Sequence, residues 1–246
     1  QDGHSHILAN TVPNCKSYDA AYSYELTVII QDGVKRMYAD KENCFYYLTT
    51  MNENYVQPAM PEGVEEGIIK GIYPFSKGAD AKLKVQLMGS GTILNEVREA
   101  ATILRESFGI ESDIWSLTSV NELTRDGQAV DRWNLLHPES APKKAYITEQ
   151  LEGSAGPVII ATDYMKNYAE QLRKYIERPL YVLGTDGFGR SDSRAALRKF
   201  FEVDRHFVVL AALKVLADEG KIKTSVLSQA IKTFAIDPDK PNPLYV

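Results

Sequence analysis

The stretch Leu83-Lys84-Val85-Gln86-Leu87-Met88, closed by Gly89-Ser90-Gly91, decides the fold class. It reads as a β-rich run ended by a tight turn. Leu94, Val97, Ala101, Leu104 and Phe108 then recur at helical spacing, and Asp113 to Leu117 is strand-like again. Strand, glycine turn, amphipathic helix and second strand make a crossover unit, which places its two strands parallel.

Downstream, the alternation repeats. Val158 to Ala161 and Leu180 to Leu183 read as strands, and Met165, Tyr168, Leu172 and Ile176 mark a helix between them. A short helix is expected from Ser193 to Phe201, with two more near 205–219 and 224–235 and Gly220 as the C-cap between them. The expectation is an α/β fold: a mostly parallel sheet of about five strands flanked by helices. Upstream, Leu26, Ile29, Ile30, Val34 and Met37 predict a helix within 20–38, with Ser17 or Asp19 as its cap, and Phe45 to Thr50 predicts a strand. Residues 52–66, with Pro58, Pro61 and Gly63, break the pattern and suggest a domain boundary. Residues 118–145 are expected to be a second long irregular connection.

Composition excludes several function classes. The 246 residues are 44% hydrophobic and 25% charged, with a net charge of -5. That balance offers no electrostatic reason for a nucleic-acid or anionic-membrane partner. The longest apolar run, Phe207 to Leu213, is far short of the ~20 residues needed to cross a bilayer. Cys15 and Cys44 have neither metal-ligand spacing nor a disulfide framework, which fits a reducing, cytoplasmic setting.

The chemistry-bearing motifs are few. Gly89-Ser90-Gly91 offers backbone N–H groups at a helix start, a place for an anion. A dinucleotide fingerprint would need glycine at 94, where Leu94 stands, so a plain tight turn is the simpler reading. In Gly184 to Arg194, two arginines and several caps lie among three glycines. Arg190 and Arg194 suit a phosphate or carboxylate, while Ser191 or Asp192 equally suits a helix N-cap with the arginines in surface pairs. His4 and His6, two residues apart beside Asp2, make a poor zinc site. His137 and His206 read as packing or surface residues. No serine-hydrolase elbow, zinc-protease motif or P-loop occurs. Tyr18, Tyr22, Tyr24, Tyr46, Tyr47 and Tyr55 lack a basic patch and read as packing or interface.

Longer stretches carry a family resemblance. Asn14-Cys15, Tyr18 to Glu25, Thr49 to Tyr55, Pro58 to Gly63, Leu123 to Gln128, Arg132 to Pro138, Ala161 to Lys166 and Gly184 to Arg194 together resemble the homodimeric pyruvate dehydrogenase E1 type. That type belongs to the transketolase superfamily of thiamine-diphosphate enzymes. The resemblance implies that residues 1–58 end a pyrimidine-binding domain and that 59–246 form a transketolase C-terminal-like domain. It implies a parent enzyme that decarboxylates pyruvate on thiamine diphosphate with Mg2+ and reductively acetylates the lipoyl group of the E2 acetyltransferase. The cofactor supplies the carbanion chemistry. The chain opens at Gln1 with no Met, and residue 1 is read as the cut end of a longer polypeptide.

The family's Gly-Asp-Gly…Asn motif for magnesium and diphosphate is absent, and its activating glutamate lies upstream of this region. Glu25 does not match that glutamate and is expected on a helix surface. No cofactor is therefore expected to bind this fragment, whose implied roles are homodimer formation and assembly with E2, without activity of its own. Only Asp2 to His6 approach the family's catalytic cavity, leaving His4 and His6 as candidate cavity residues with nothing expected to hold them in place. A stand-alone interaction or regulatory module, or a nucleotide-binding α/β protein using the Gly89 and Gly184 turns, are the alternatives.

Overall fold

The computed structural model describes residues 2–246; Gln1, the expected cut end, lies outside them. Helix α1 (Ser5–Asn10) leads to strand β1 (Cys15–Asp19), helix α2 (Ser23–Val34), a π-helical turn (Lys35–Ala39) and strand β2 (Phe45–Thr49). β1 and β2 pair in parallel as a two-stranded sheet. Residues 50–61 carry neither helix nor strand.

A second sheet has five strands in the order β3-β5-β4-β6-β7: β3 (Ile72–Ser76), β5 (Glu111–Leu117), β4 (Lys84–Gly89), β6 (Val158–Ala161) and β7 (Leu180–Leu183). β3 runs antiparallel to β5, and the other pairings are parallel. Side chains alternate across it, as the two-residue period of a strand requires. Val85, Leu87, Ile159 and Leu183 pack against α4 (Ile93–Phe108) and α9 (Arg205–Asp218). Met88, Trp115, Val158, Ile160 and Val182 face the opposite layer, built by α5 (Val120–Leu136), α6 (Tyr146–Leu151) and α7 (Lys166–Glu170). α3 (Glu65–Lys70), α8 (Arg194–Phe200) and α10 (Thr224–Thr233) complete the shell. Both faces are covered, which is the usual condition of a parallel sheet.

Several expectations are corrected. Residues 118–145 hold the 17-residue helix α5 in place of an irregular connection. Near its middle stands Gly127, where a Cβ would lie 2.5 Å from the Tyr175 ring, so the glycine serves close packing and does not break the helix. Ser17 and Asp19 lie in β1 and do not cap α2, whose N-cap is Tyr22 with Glu25 closing a capping box. The helix expected over 165–176 is shortened to α7 and a separate 3-10 turn at Arg173–Tyr175. α8 is capped by Ser193, whose hydroxyl accepts from Ala196 N, and not by Ser191 or Asp192.

Glu25 is not on a surface; it is fully buried. Its carboxylate accepts from the backbone N–H groups of Ala21 (2.5 Å) and Tyr22 (3.1 Å), the Tyr73 phenol (2.6 Å) and the Ser116 hydroxyl (2.6 Å). One side chain thus ties α2 to β3 and β5. Tyr18 and Tyr22 are buried and Tyr24, Tyr46, Tyr47 and Tyr55 partly so, which bears out the packing reading of the tyrosine cluster.

Candidate functional site at the carboxyl end of the parallel sheet

In an open parallel sheet the ligand crevice forms where the strand order reverses, outside the strands' carboxyl ends. Here that point lies between β4 and β6. Gly89-Ser90-Gly91 follows one strand and Thr162-Asp163 the other, and Ser90 Oγ and Thr162 Oγ1 are 2.9 Å apart. The N-terminal segment fills the crevice. Asp19 N donates to Thr118 O (2.9 Å), Gly91 N donates to Asp19 O (3.3 Å), and the Asp19 carboxyl lies against Gly91. The N–H groups of the glycine turn are therefore taken by backbone carbonyls of this same chain, Gly91 N by Asp19 O and Ser90 N by Ala161 O, and the Asp19 side chain packs over Gly91.

From Asp19 a hydrogen-bonded line runs outward. Thr49 Oγ1 donates to Asp19 Oδ1 (2.8 Å), and His6 Nε2 stands 2.9 Å from Thr49 Oγ1. His6 is fully buried, stacked on Tyr168 at 5.1 Å between centroids and edge-on to Tyr164 at 4.5 Å. Burial pushes its imidazole down to about 4, against the pull of Asp2. Burial pushes Asp19 up to about 7, opposed by the Thr49 and Ser90 hydroxyls and reinforced by the Asp163 and Glu25 charges. The segment that holds His6 is anchored: Met165 N donates to Gly3 O (3.0 Å), and Asn121 Nδ2 donates to His6 O (2.7 Å). The expectation that nothing would hold the histidines is thus overturned for His6. His4 is exposed and sits at the start of α1.

The loop residues singled out from sequence border the same region. Arg190 and Arg194 share a cavity of 90 Å3 with Asp2, Asp163, Thr185 and Arg198. The structure thus brings one loop arginine pair beside the N-terminal segment, a link invisible in the sequence. The guanidinium groups are engaged. Arg190 lies 4.4 Å over the Phe200 ring, Arg194 donates to Asn52 Oδ1 (2.5 Å), and Arg198 pairs with Glu53 and, at 3.4 Å, with Glu96. Asp192 accepts from the N–H of its neighbour Ser193, and Ser191 is exposed at the rim. His137 and His206 stand elsewhere, stacked on Trp133 and tilted against Phe234.

Sequence reasoning missed Asp19, Thr49 and Asp163. Asp19 was read as a helix cap, and nothing in a single chain signals that it meets Gly91 seventy residues on. At the opposite end of the strands, a 480 Å3 groove is floored by a Lys84–Asp113 ion pair (2.9 Å), with Lys84 also donating to Gly78 O.

These residues do not suit a bound thiamine diphosphate with Mg2+. A diphosphate in the crevice would find the glycine turn's N–H groups already taken and the Asp163 carboxyl beside it, while the nearby Arg198 is already satisfied by carboxylates. Among the described residues no three His, Cys, Asp or Glu side chains group so as to hold a metal ion. Among them, too, no helix is long and apolar enough to cross a membrane.

Comparison with known proteins agrees with this architecture. The family model described as pyruvate dehydrogenase E1 component middle domain matches residues 1–58, and the transketolase-like TK C-terminal domain matches residues 71–204. The pyruvate dehydrogenase E1 component of Pseudomonas aeruginosa is 60% identical over 246 residues, 99% of this chain and 28% of that protein. That of Escherichia coli (strain K12) is 56% identical over 245 residues, 99% of this chain and 27% of that protein. The chain thus spans little more than a quarter of the length of these curated relatives. Among solved structures, a split-gene transketolase described as an inactive beta4 tetramer matches with TM-score 0.57 and 18% identity, over 88% of this chain and 63% of that one. A Pichia stipitis transketolase crystallised with sedoheptulose-7-phosphate matches with TM-score 0.61 and 16% identity, over 90% of this chain and 28% of that one. At those identities the likeness is one of fold, and the expected α/β architecture with a transketolase C-terminal-like sheet holds.

Proposed function

The chain belongs to the family of transketolase-like TK C-terminal domains, and from that premise we propose that it is the structural end of a pyruvate dehydrogenase E1 component. In this reading the whole enzyme decarboxylates pyruvate on thiamine diphosphate with Mg2+ and reductively acetylates the lipoyl group of its E2 acetyltransferase in the cytoplasm. Residues 1–58 are the tail of the pyrimidine-binding domain and 59–246 the C-terminal domain. Thiamine diphosphate supplies the carbanion chemistry when bound; this chain's residues supply a rigid support. Asp19 closes the crevice at the sheet's end, and Glu25 ties the two segments together.

The observation that carries the reading is the relatives' similarity over 99% of the chain combined with a crevice filled by the chain's own Asp19. A domain whose crevice is filled by its own chain, with the turn's N–H groups already bonded, suits a supporting role. The chain alone is then without activity, and it associates as a homodimer. His4 and His6 border the catalytic cavity of the whole enzyme in this reading, with His6 the anchored one of the two.

Isothermal calorimetry tests it. Titration of this chain with thiamine diphosphate and Mg2+ is expected to give no saturable heat; a tight, stoichiometric isotherm would overturn the reading.

A further inference from the structure

We propose that Asp19, Thr49 and His6 form a buried proton relay in which the acid carries the proton that the imidazole has given up, so that α1 docks against the sheet as a neutral pair.

The geometry comes first. His6 and Asp19 do not touch; the single hydroxyl of Thr49 bridges them at 2.9 and 2.8 Å. His6 Nδ1 has no partner, so the ring's one proton sits on Nε2 and is donated to Thr49 Oγ1, whose own proton goes to Asp19 Oδ1 or, at 3.3 Å, to Tyr18 O. Among the described residues, four buried side-chain atoms lack a partner, and three of them lie along this line: His6 Nδ1, Asp19 Oδ2 and Asn121 Oδ1. An imidazolium would leave an unpartnered N–H at Nδ1, and a carboxylate would leave half its charge unpartnered at Oδ2. Buried charges without hydrogen bonds are strongly disfavoured. A neutral imidazole protonated on Nε2 and a neutral carboxylic acid leave no orphaned charge.

The direction of titration agrees. Burial takes His6 from 6.5 down to about 4 and Asp19 from 3.8 up to about 7, so the usual order of the two groups is inverted. Undocked between about pH 4 and 6.5, the pair is an imidazolium and a carboxylate, holding one proton. Docked, it is an imidazole and a carboxylic acid, again with one proton and no net charge. The nitrogen loses its proton and the carboxyl gains one, so docking takes up no proton from solvent across that window. Each residue alone would be pH-sensitive: His6 favours docking as pH rises, Asp19 as pH falls. The other titratable groups facing the pair are Asp2, Glu25 on α2, Tyr47 on β2, Asp163 and Tyr164 after β6, Tyr168 on α7, and Tyr55. They form a background common to all variants.

Hydrogen exchange on the 246-residue chain reads the effect. Opening constants for the α1 amides are measured from pH 4.5 to 6.5 and corrected for intrinsic rates. Relative to wild type, Asp19→Asn should make opening fall by about tenfold per pH unit as pH rises, and His6→Gln should make it rise by about tenfold per unit. Thr49→Val should weaken docking at every pH. Equal slopes in wild type and both single variants would overturn the relay. A second readout needs no variant. The 15N shifts of His6 at pH 5.5 should report a neutral ring protonated on Nε2; an imidazolium there would also overturn it.

Discussion

Gly91 turns with φ of +51° directly against the carboxyl of Asp19, where an added Cβ would lie 2.5 Å from Oδ2. One backbone position thus carries both a left-handed turn and a close contact between the N-terminal segment and the five-stranded sheet.

From this contact we expect Gly91→Ala to destabilise the chain by ~2–4 kcal/mol, combining left-handed strain with displacement of a buried carboxyl. Urea unfolding followed by circular dichroism measures it. An unchanged midpoint would mean the segment is not docked at Gly91.

Glu25 should be the most damaging exposed-looking residue of α2 to alter. Glu25→Ala strands four donors in a dry interior, and the loss should reach ~3 kcal/mol or more. Ser116→Ala and Tyr73→Phe, which each remove one donor, should cost about 1 kcal/mol apiece. Chemical unfolding of the three variants ranks them; equal costs would contradict a shared carboxylate hub.

Acid should separate Glu96 from the carboxyls pushed upward. Despite burial, which raises it, Glu96 titrates below the ordinary carboxylate range because the side chain and backbone N–H of Arg205 and the Arg198 charge hold it ionised. A lowered folded value adds stability above the unfolded value, about pH 4.3, and that stability is lost as pH falls through the folded one. Glu96→Gln should therefore be less stable than wild type at pH 7, with the gap closing below about pH 4. A gap constant with pH would show that Glu96 contributes no charge-dependent stability.

Self-association should be measurable without any ligand. Ile30, Val34 and Tyr38 are 46%, 52% and 75% exposed at four-residue spacing on α2 and the turn after it. An exposed apolar stripe favours a partner. Light scattering is expected to give twice the 27.5 kDa chain mass; a monomer at high concentration would count against the homodimer.

The parallel core was legible because β4, β6 and β7 are short apolar runs punctuated by glycine turns and helical spacing. β3 was missed because Pro74 interrupts it, a residue tolerated there because β3 is the edge strand. α5 was missed because Asp126-Gly127-Gln128 looks like a turn, and only the facing Tyr175 ring explains the glycine. The polar run Asp2 to His6 looked like a flexible tail, yet the aromatic wall that buries His6 comes from Tyr164 and Tyr168, over 150 residues away in sequence. The candidate site was half legible for the same reason: residue types announce themselves, while the contacts that orphan or neutralise them are tertiary.

We propose that this polypeptide supports a thiamine-dependent centre without containing one. Carbon dioxide release from pyruvate should be measured with the purified 246-residue chain, thiamine diphosphate and Mg2+, and nothing else added. We expect release indistinguishable from the protein-free control. Sustained turnover that scales with the concentration of the chain would contradict the account.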